Sequence, residues 1–222
     1  MTGLPLPDFT AARDLMVDGQ LRPTKVTDRR VLDAMRQLPR ERFVKPAQAG
    51  LAYIDEDVAI GPGRVLLKPL VLARLIQLAA AQPGENALIV GAGSGYGAAV
   101  LAACGAQVTA LEEDDGLLRL ARAAQDATRY AATWVSGKLA DGWAEAAPYD
   151  LIIIEGAVRA IPERLGRQLA EGGRLITIIS PAGGSPYAVV AEASTRGLAA
   201  LPAFDAVAPL LPSLVPAPEF AF

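Results

Sequence analysis

Apolar and polar residues follow two different periods along this chain, and the changes of period outline its elements. Short apolar runs, typical of buried strands, occur at 87–90, 107–111, 131–135, 149–154 and 174–179. Segments with helical character occur at 69–81, before the first of these runs, and between the later runs at 98–104, 115–126 and 162–169. Strands that alternate with helices in this way predict an α/β fold with a parallel, doubly wound sheet. Later elements at 187–193 and 198–207 favour added antiparallel pieces.

The first 40 residues have a helical period instead. Residues 8–22 predict an amphipathic helix, and its candidate buried face consists of Phe9, Ala12, Leu15, Met16 and Leu21. Thr27 or Asp28 can cap a second helix that ends before Pro39, with apolar positions at Val31, Leu32, Met35 and Leu38. Residues 40–63 predict irregular structure, residues 61–63 (Gly-Pro-Gly) a turn and 171–173 (Glu-Gly-Gly) another.

The stretch 85–114 carries the clearest chemical signal. Its first strand runs into glycines at 91, 93, 95 and 97, followed by an Ala-rich helix and a second strand that ends at Glu112. Glycine permits positive φ and lets a ligand approach the backbone, and a helix that starts near Gly95 directs free N–H groups at that ligand. Glu112 can accept hydrogen bonds from both hydroxyls of a ribose. This unit predicts a nucleoside-containing cofactor.

The glycine spacing separates two kinds of cofactor. A dinucleotide site has glycine at the first, third and sixth places, but the sixth place counted from Gly91 is Tyr96. Gly-x-Gly-x-Gly is more typical of S-adenosyl-L-methionine (SAM) methyltransferases. The alternative is structural, with glycines that only permit tight packing of strand against helix. A NAD-dependent oxidoreductase is disfavoured by the spacing and by the absence of histidine or a Tyr-x-x-x-Lys pair.

Parallel strands place ligands at their carboxyl ends. This rule puts four segments of the chain on one rim, namely Gly91, Ala92, Gly93, Ser94, Gly95 and Tyr96; Glu112; Gly137 with Lys138; and Glu155. We therefore predict these residues as the cofactor site. Glu155, directly after the fourth strand, could hold an amino group of the ligand. Tyr96 either packs beside the cofactor or faces the core at the start of the helix.

Composition narrows the class of protein. The 222 residues suit one domain, or one domain with a helical appendage, and a net charge of −3 with a pI near 5.1 argues against nucleic acid as a partner. Histidine is absent and Cys104 is the single cysteine, so we predict no metal site. A lone cysteine and the absence of an apolar leader predict a cytoplasmic protein. The apolar stretch 86–111 is interrupted by glycines and polar residues, so no membrane span is expected.

The chain resembles the protein-L-isoaspartate O-methyltransferase family through nearly its whole length. The similarity is carried by 16–17, 20–22, 27–28, 30–32, 34–35, 39–41, 43–46, Tyr53, Ile60-Gly61, the turn GAGSGYGAAVLA, and the later segments DGWAEAAPYDLIII, AIPERL and QLAEGGRL. The resemblance implies a Rossmann-like class I SAM methyltransferase fold with an N-terminal helical addition. It implies methylation of the carboxylate of isoaspartyl residues, a step in protein repair. It divides the chain into an addition with an acceptor-side loop (1–68) and a SAM-binding unit (69–222).

Departures from the family pattern fall at the site itself. The family's Gly-His-Gly-Gln-Thr-Ile-Ser-Gln-Pro-like loop is GPGRVLLKP at 61–69, so the usual hydroxyls fall on Val65 and Leu67. Ile89 replaces an acid, and Gly137-Lys138-Leu139 replaces the adenine-contacting Gly-Asp-Gly, whereas Glu112 is retained.

These departures leave the catalytic residues open. Lys68 or Arg64 could pair with the acceptor carboxylate, and the position of Leu67 is the third candidate. The acceptor is ionised at pH 7 and needs no general base. We expect a monomer or weak dimer that binds isoaspartyl peptides or proteins. The alternative is a degenerate family member that acts as a binding or scaffold module.

Overall fold

The computed structural model describes residues 8–195 and 197–215. A seven-stranded sheet forms the centre, in the order β5-β4-β3-β6-β7-β8-β9. Its strands are β3 (Asn86–Val90), β4 (Gln107–Glu112), β5 (Thr133–Ser136), β6 (Tyr149–Val158), β7 (Leu169–Ile179), β8 (Tyr187–Ser194) and β9 (Gly197–Asp205). Strands β3 to β7 pair in parallel, and β8 and β9 are antiparallel. The predicted α/β, doubly wound fold is confirmed.

Helices cover both faces of this sheet. They are α1 (Phe9–Leu15), α2 (Arg29–Gln37), α3 (Pro69–Ala79), α4 (Tyr96–Ala103), α5 (Asp115–Gln125) and α6 (Glu163–Gly166). Local signals explain several of their starts. Asp8, Asp28 and Asp114 accept backbone N–H bonds as N-caps, and Pro69 opens α3. No helix among the described residues is long and apolar enough to cross a bilayer.

Alternation along β3 divides the apolar core into two clusters. Ala87 and Ile89 belong to one cluster, and Leu88 and Val90 to the other. Side chains of successive strand residues point to opposite faces, so the two clusters lie on the two sides of the sheet. The N-terminal residues Met16, Leu21 and Met35 join the first cluster, so the helical addition shares a core with the sheet.

Leu15 corrects the predicted buried face of the first helix. Its side chain is 69% exposed, whereas Met16 and Leu21 are fully buried. The cause is a change of helical period, because Met16–Leu21 forms a π-helical turn directly after α1. A wider turn rotates the following residues away from the positions that a 3.6-residue period gives them.

Residues 40–63 also differ from the irregular structure predicted for them. Short 3₁₀ turns cover Arg40–Phe43 and Pro46–Leu51, and two strands, β1 (Val58–Gly61) and β2 (Arg64–Leu66), form an antiparallel hairpin. The Gly-Pro-Gly segment is the hairpin turn, as predicted. This hairpin carries Arg64 to the carboxyl ends of the central strands, where its side chain donates to the carbonyl of Gly91.

Two boundaries in the second half of the chain are corrected. The strand predicted to end at Ile154 continues to Val158, and the turn predicted at 171–173 lies inside β7 as a register shift against β6. A Cβ on Gly173 would lie 2.8 Å from the carbonyl oxygen of Tyr149, so only glycine fits this close approach. The helix predicted for 162–169 is shortened to α6, because β7 begins at Leu169.

Candidate cofactor site

The glycine turn, Glu112 and Gly137 meet at the carboxyl ends of β3, β4 and β5. The amide N–H of Gly91 donates to the carbonyl of Leu111 at 3.0 Å, and that of Gly137 donates to the carbonyl of Glu112 at 3.3 Å. Strand register sets this arrangement, because Val90 pairs with Leu111, which pairs with Val135. These backbone segments therefore lie on one edge of the sheet, where the sequence predicts them.

Positive φ angles shape the turn between β3 and α4. Gly91, Gly93 and Gly95 have φ values of 73°, 56° and 91°. Residues with a Cβ rarely adopt these angles, so the three glycines are needed for the turn itself. Ala92 and Ser94 lie between them and are buried.

Glu112 is buried at the centre of the rim and is saturated with protein donors. Its Oε2 accepts the N–H of Gly93 at 2.8 Å, and its Oε1 accepts those of Glu113 and Asp114 at 2.9 and 3.1 Å. The remaining bonds come from Arg64. A carboxylate offers about four lone-pair positions, and five N–H groups already point at this one.

Arg64 forms a bidentate ion pair with Glu112. Its Nη1 lies 2.8 Å from Oε1 and its Nη2 lies 2.7 Å from Oε2, and Nη2 also donates to the carbonyl of Gly91 at 2.8 Å. The two side chains are 8% and 0% exposed. Sequence reasoning placed Arg64 on the acceptor side and missed this pair, which joins residues 48 positions apart.

Apolar side chains from other elements lie against the three glycines of the turn. A Cβ built on Gly91 would lie 3.1 Å from Cδ1 of Leu211, and one on Gly93 would lie 3.0 Å from Cδ1 of Ile60. One on Gly95 would lie 2.6 Å from the indole ring of Trp134. Each of the three glycines therefore lies close to another side chain, and a Cβ at any of them would be crowded.

Two of the cavities that border the rim are small. One is lined by Arg64, Glu155 and Leu211 and another by Gly95 and Trp134, and each measures about 10 Å³. That is room for about one water molecule, whereas ligand pockets measure roughly 300–1,000 Å³. A third cavity, lined by Ile60, Asp114 and Leu117, measures about 260 Å³. In this arrangement Glu112 has no free acceptor position for the ribose of SAM.

Glu155 lies level with the rim, but inside β6 and not after it as predicted. It follows Ile154, whose strand partner is Val90, and it is 7% exposed. Its Oε2 has no hydrogen-bond partner among the described residues. Burial raises the pKa of Glu155 to about 8, and the charge of Glu112 acts in the same direction against the opposing effect of Arg64 and Arg40.

Tyr96 turns into the core, the second of its two predicted placements. Its ring makes an edge contact with Phe43 at a centroid distance of 5.1 Å, and the guanidinium of Arg40 lies 4.8 Å from the ring centroid. Arg40 is fully buried and donates to the carbonyls of Ala52 and Leu67, both at 2.6 Å. The Tyr96 side chain therefore packs against the N-terminal region and not along the rim.

The remaining predicted residues are spread around the rim. Lys138 is exposed beside the half-buried Gly137, and Leu67 is 1% exposed. Lys68 is half-buried at the start of α3, and its backbone N–H donates to the side chain of Asp57.

A larger cavity of about 610 Å³ lies at the opposite edge of the sheet, between α6 and the end of β8. Among the described residues, no cluster of His, Cys, Asp and Glu could hold a metal ion.

Sequence relatives match most of the chain. The family model for protein-L-isoaspartate(D-aspartate) O-methyltransferase matches residues 12–200. A protein-L-isoaspartate O-methyltransferase from Methylorubrum extorquens is 44% identical over 81% of this chain and 79% of its own. One from Halorhodospira halophila is 42% identical over 83% of each chain.

Solved structures agree on the fold. A protein-L-isoaspartate O-methyltransferase structure has a TM-score of 0.80 at 23% identity and covers 91% of this chain and 67% of its own. A Plasmodium falciparum structure, described as such an enzyme in complex with S-adenosyl-L-homocysteine, has a TM-score of 0.75 at 22% identity over 90% of this chain and 98% of its own. The family match and the 44% identical relative establish that the chain belongs to the protein-L-isoaspartate(D-aspartate) O-methyltransferase family of SAM-dependent enzymes.

Proposed function

We propose that this chain methylates the carboxylate of isoaspartyl residues in damaged proteins, with SAM as the methyl donor. The observation that carries the proposal is the family match over residues 12–200, which includes both the N-terminal addition and the glycine turn. The retained Glu112 at the rim supports it. We further propose a cytoplasmic monomer or weak dimer that takes isoaspartyl peptides or proteins and no nucleic acid.

The acceptor chemistry suits a chain without histidine. A carboxylate is ionised at pH 7, so methyl transfer to it needs no general base. What the chain must supply is a cation or donor that orients the acceptor and a surface that excludes water. The two cationic candidates for this role are Lys68 at the start of α3 and Arg64 on β2, which pairs with Glu112 in this arrangement.

A matched pair of peptides tests the proposal. The natural chain is incubated with isotopically labelled SAM and a peptide that contains either isoaspartate or ordinary aspartate at one position. Label transferred to the isoaspartyl peptide alone is the expected result. The rate should be low, because a hydroxyl bonded to a charged acceptor contributes roughly 1.5–3 kcal/mol, or about ten- to 150-fold, and Leu67 supplies none. Equal labelling of both peptides, or none, would contradict it.

The occupation of Glu112 by Arg64 favours one second candidate, a non-catalytic binding module with the same fold. Saturation of Glu112 by Arg64 and backbone donors is the observation that supports it. Calorimetric titration with S-adenosyl-L-homocysteine separates the two candidates. Saturable binding below millimolar concentration supports the enzyme, and no heat of binding at millimolar ligand supports the module.

A further inference from the structure

The guanidinium of Arg64 gives Glu112 two hydrogen-bond donors, as the ribose of a nucleoside cofactor would. Two hydroxyls on adjacent ribose carbons present two donors to one carboxylate, and the guanidinium presents two N–H groups to the same two oxygens. We infer that Arg64 is an intramolecular occupant of the ribose position, which must leave Glu112 before the cofactor can enter. The inference rests on the proposed use of SAM.

Hydrogen-bond capacity makes the two occupants exclusive. Three of the five donors to Glu112 are backbone N–H groups of Gly93, Glu113 and Asp114, which the turn and the end of β4 hold in place. Among the described residues, Arg64 is the one side chain that donates to Glu112. A ribose can therefore form hydrogen bonds to Glu112 only if Arg64 gives up its own.

The position of Arg64 in the fold permits such a movement. It lies on β2, a three-residue strand of a small hairpin outside the main sheet. Its guanidinium donates to the carbonyl of Gly91 at the rim. Arg64 also borders the 10 Å³ cavity that Glu155 lines. Rotation of the Arg64 side chain, with Leu211 beside it, clears the space next to Gly91 without breaking a ladder of the seven-stranded sheet.

An occupant lowers the apparent affinity of the ligand in a defined way. If Arg64 is displaced from Glu112 in only a fraction of the molecules, the apparent Kd is the intrinsic Kd divided by that fraction. Removal of Arg64 should therefore tighten binding while Glu112 is kept. A purely structural ion pair would have the opposite effect, because its loss would loosen the rim.

The test is calorimetric titration of S-adenosyl-L-homocysteine into four full-length proteins. They are the natural chain, Arg64→Met, Arg64→Lys and Arg174→Met. Arg174 forms a bidentate pair of similar geometry with Glu85, at 3.0 and 2.8 Å, at the amino end of β3. Arg174→Met is thus a matched control that removes an arginine–carboxylate pair far from the glycine turn.

Arg64→Met should bind at least about tenfold more tightly than the natural chain, and Arg174→Met should match the natural chain. Arg64→Lys keeps the charge but cannot bridge both oxygens, so an intermediate gain is expected and covers the case in which Arg64→Met does not fold. A cooperative thermal melt in the absence of ligand confirms that each variant is folded.

Two results would overturn the inference and are distinguishable from each other. If the natural chain binds and the Arg64 variants that fold bind no more tightly, Arg64 is structural and the proposed function stands. If no folded variant binds at millimolar ligand, the occupant hypothesis fails together with the proposed use of SAM.

Discussion

At the scale of single residues, two buried carboxylates share the rim in opposite circumstances. Glu112 accepts bonds from Arg64 and three backbone groups, whereas Oε2 of Glu155 accepts none among the described residues. A buried carboxyl group without partners is more stable when protonated. Accordingly, burial raises the pKa of Glu155 to about 8 in spite of Arg64 and Arg40 nearby.

This difference predicts the pH dependence of stability. Between the unfolded pKa of 4.5 and about 8, the folded protein keeps a proton on Glu155 that the unfolded chain has released. The free energy of unfolding should therefore fall as pH rises through this window, and Glu155→Gln should remove that part of the slope. Urea denaturation at pH 5, 6, 7 and 8 measures it. A slope that is unchanged in Glu155→Gln would show that Glu155 is not the group responsible.

At the scale of elements, side chains from other segments lie against the glycine turn between β3 and α4. Gly95 combines a φ of 91° with an indole ring of Trp134 directly over it. Gly84 has a similar φ of 87°, but a Cβ built there has open space around it. The two positions separate the cost of backbone conformation from the cost of crowding.

Alanine at these glycines should give different losses of stability. Gly84→Ala should cost about 1–2 kcal/mol, the penalty for an L-residue in a left-handed conformation. Gly95→Ala should cost a further 1–3 kcal/mol or so, because its Cβ overlaps Trp134. Chemical denaturation of both variants measures the difference. Equal losses would mean that Trp134 swings away freely, and that the turn is more open than the structure shows.

The elements also show which features the sequence can predict. Helix α2 was predicted with its cap and its end because Asp28, the apolar period and Pro39 are all local signals. The hairpin of β1 and β2 was missed, since its strands contain only four and three residues. The Arg64–Glu112 pair depends on where that hairpin folds back, and no local spacing encodes it. The placement of the glycine turn and Glu112 on one rim was predictable, but the pairing of Arg64 with Glu112 was not.

At the scale of the whole molecule, the N-terminal addition and the sheet share one hydrophobic cluster. Met35 of α2 is fully buried, and helix α2 packs against α4 of the central unit. The division at residue 68 was predicted from the resemblance and stays a prediction. A shared core nevertheless implies that both segments unfold together.

Calorimetry of a core variant tests this cooperativity. Met35→Ala should lower the free energy of unfolding by about 2–5 kcal/mol and keep a single transition whose calorimetric and van't Hoff enthalpies agree. Leu15→Ala, at a 69% exposed position, should change stability by no more than about 0.5 kcal/mol. Two separate transitions in the natural chain, with only the first shifted by Met35→Ala, would contradict a common core.

A crystal structure of the natural chain grown with saturating S-adenosyl-L-homocysteine tests most directly whether Arg64 occupies the cofactor's place. The ribose hydroxyls should lie within hydrogen-bond distance of Glu112, with the guanidinium of Arg64 displaced from both carboxylate oxygens. The bonds from Gly93, Glu113 and Asp114 to Glu112 should remain. Ligand bound elsewhere while the Arg64–Glu112 pair stays intact would contradict the account.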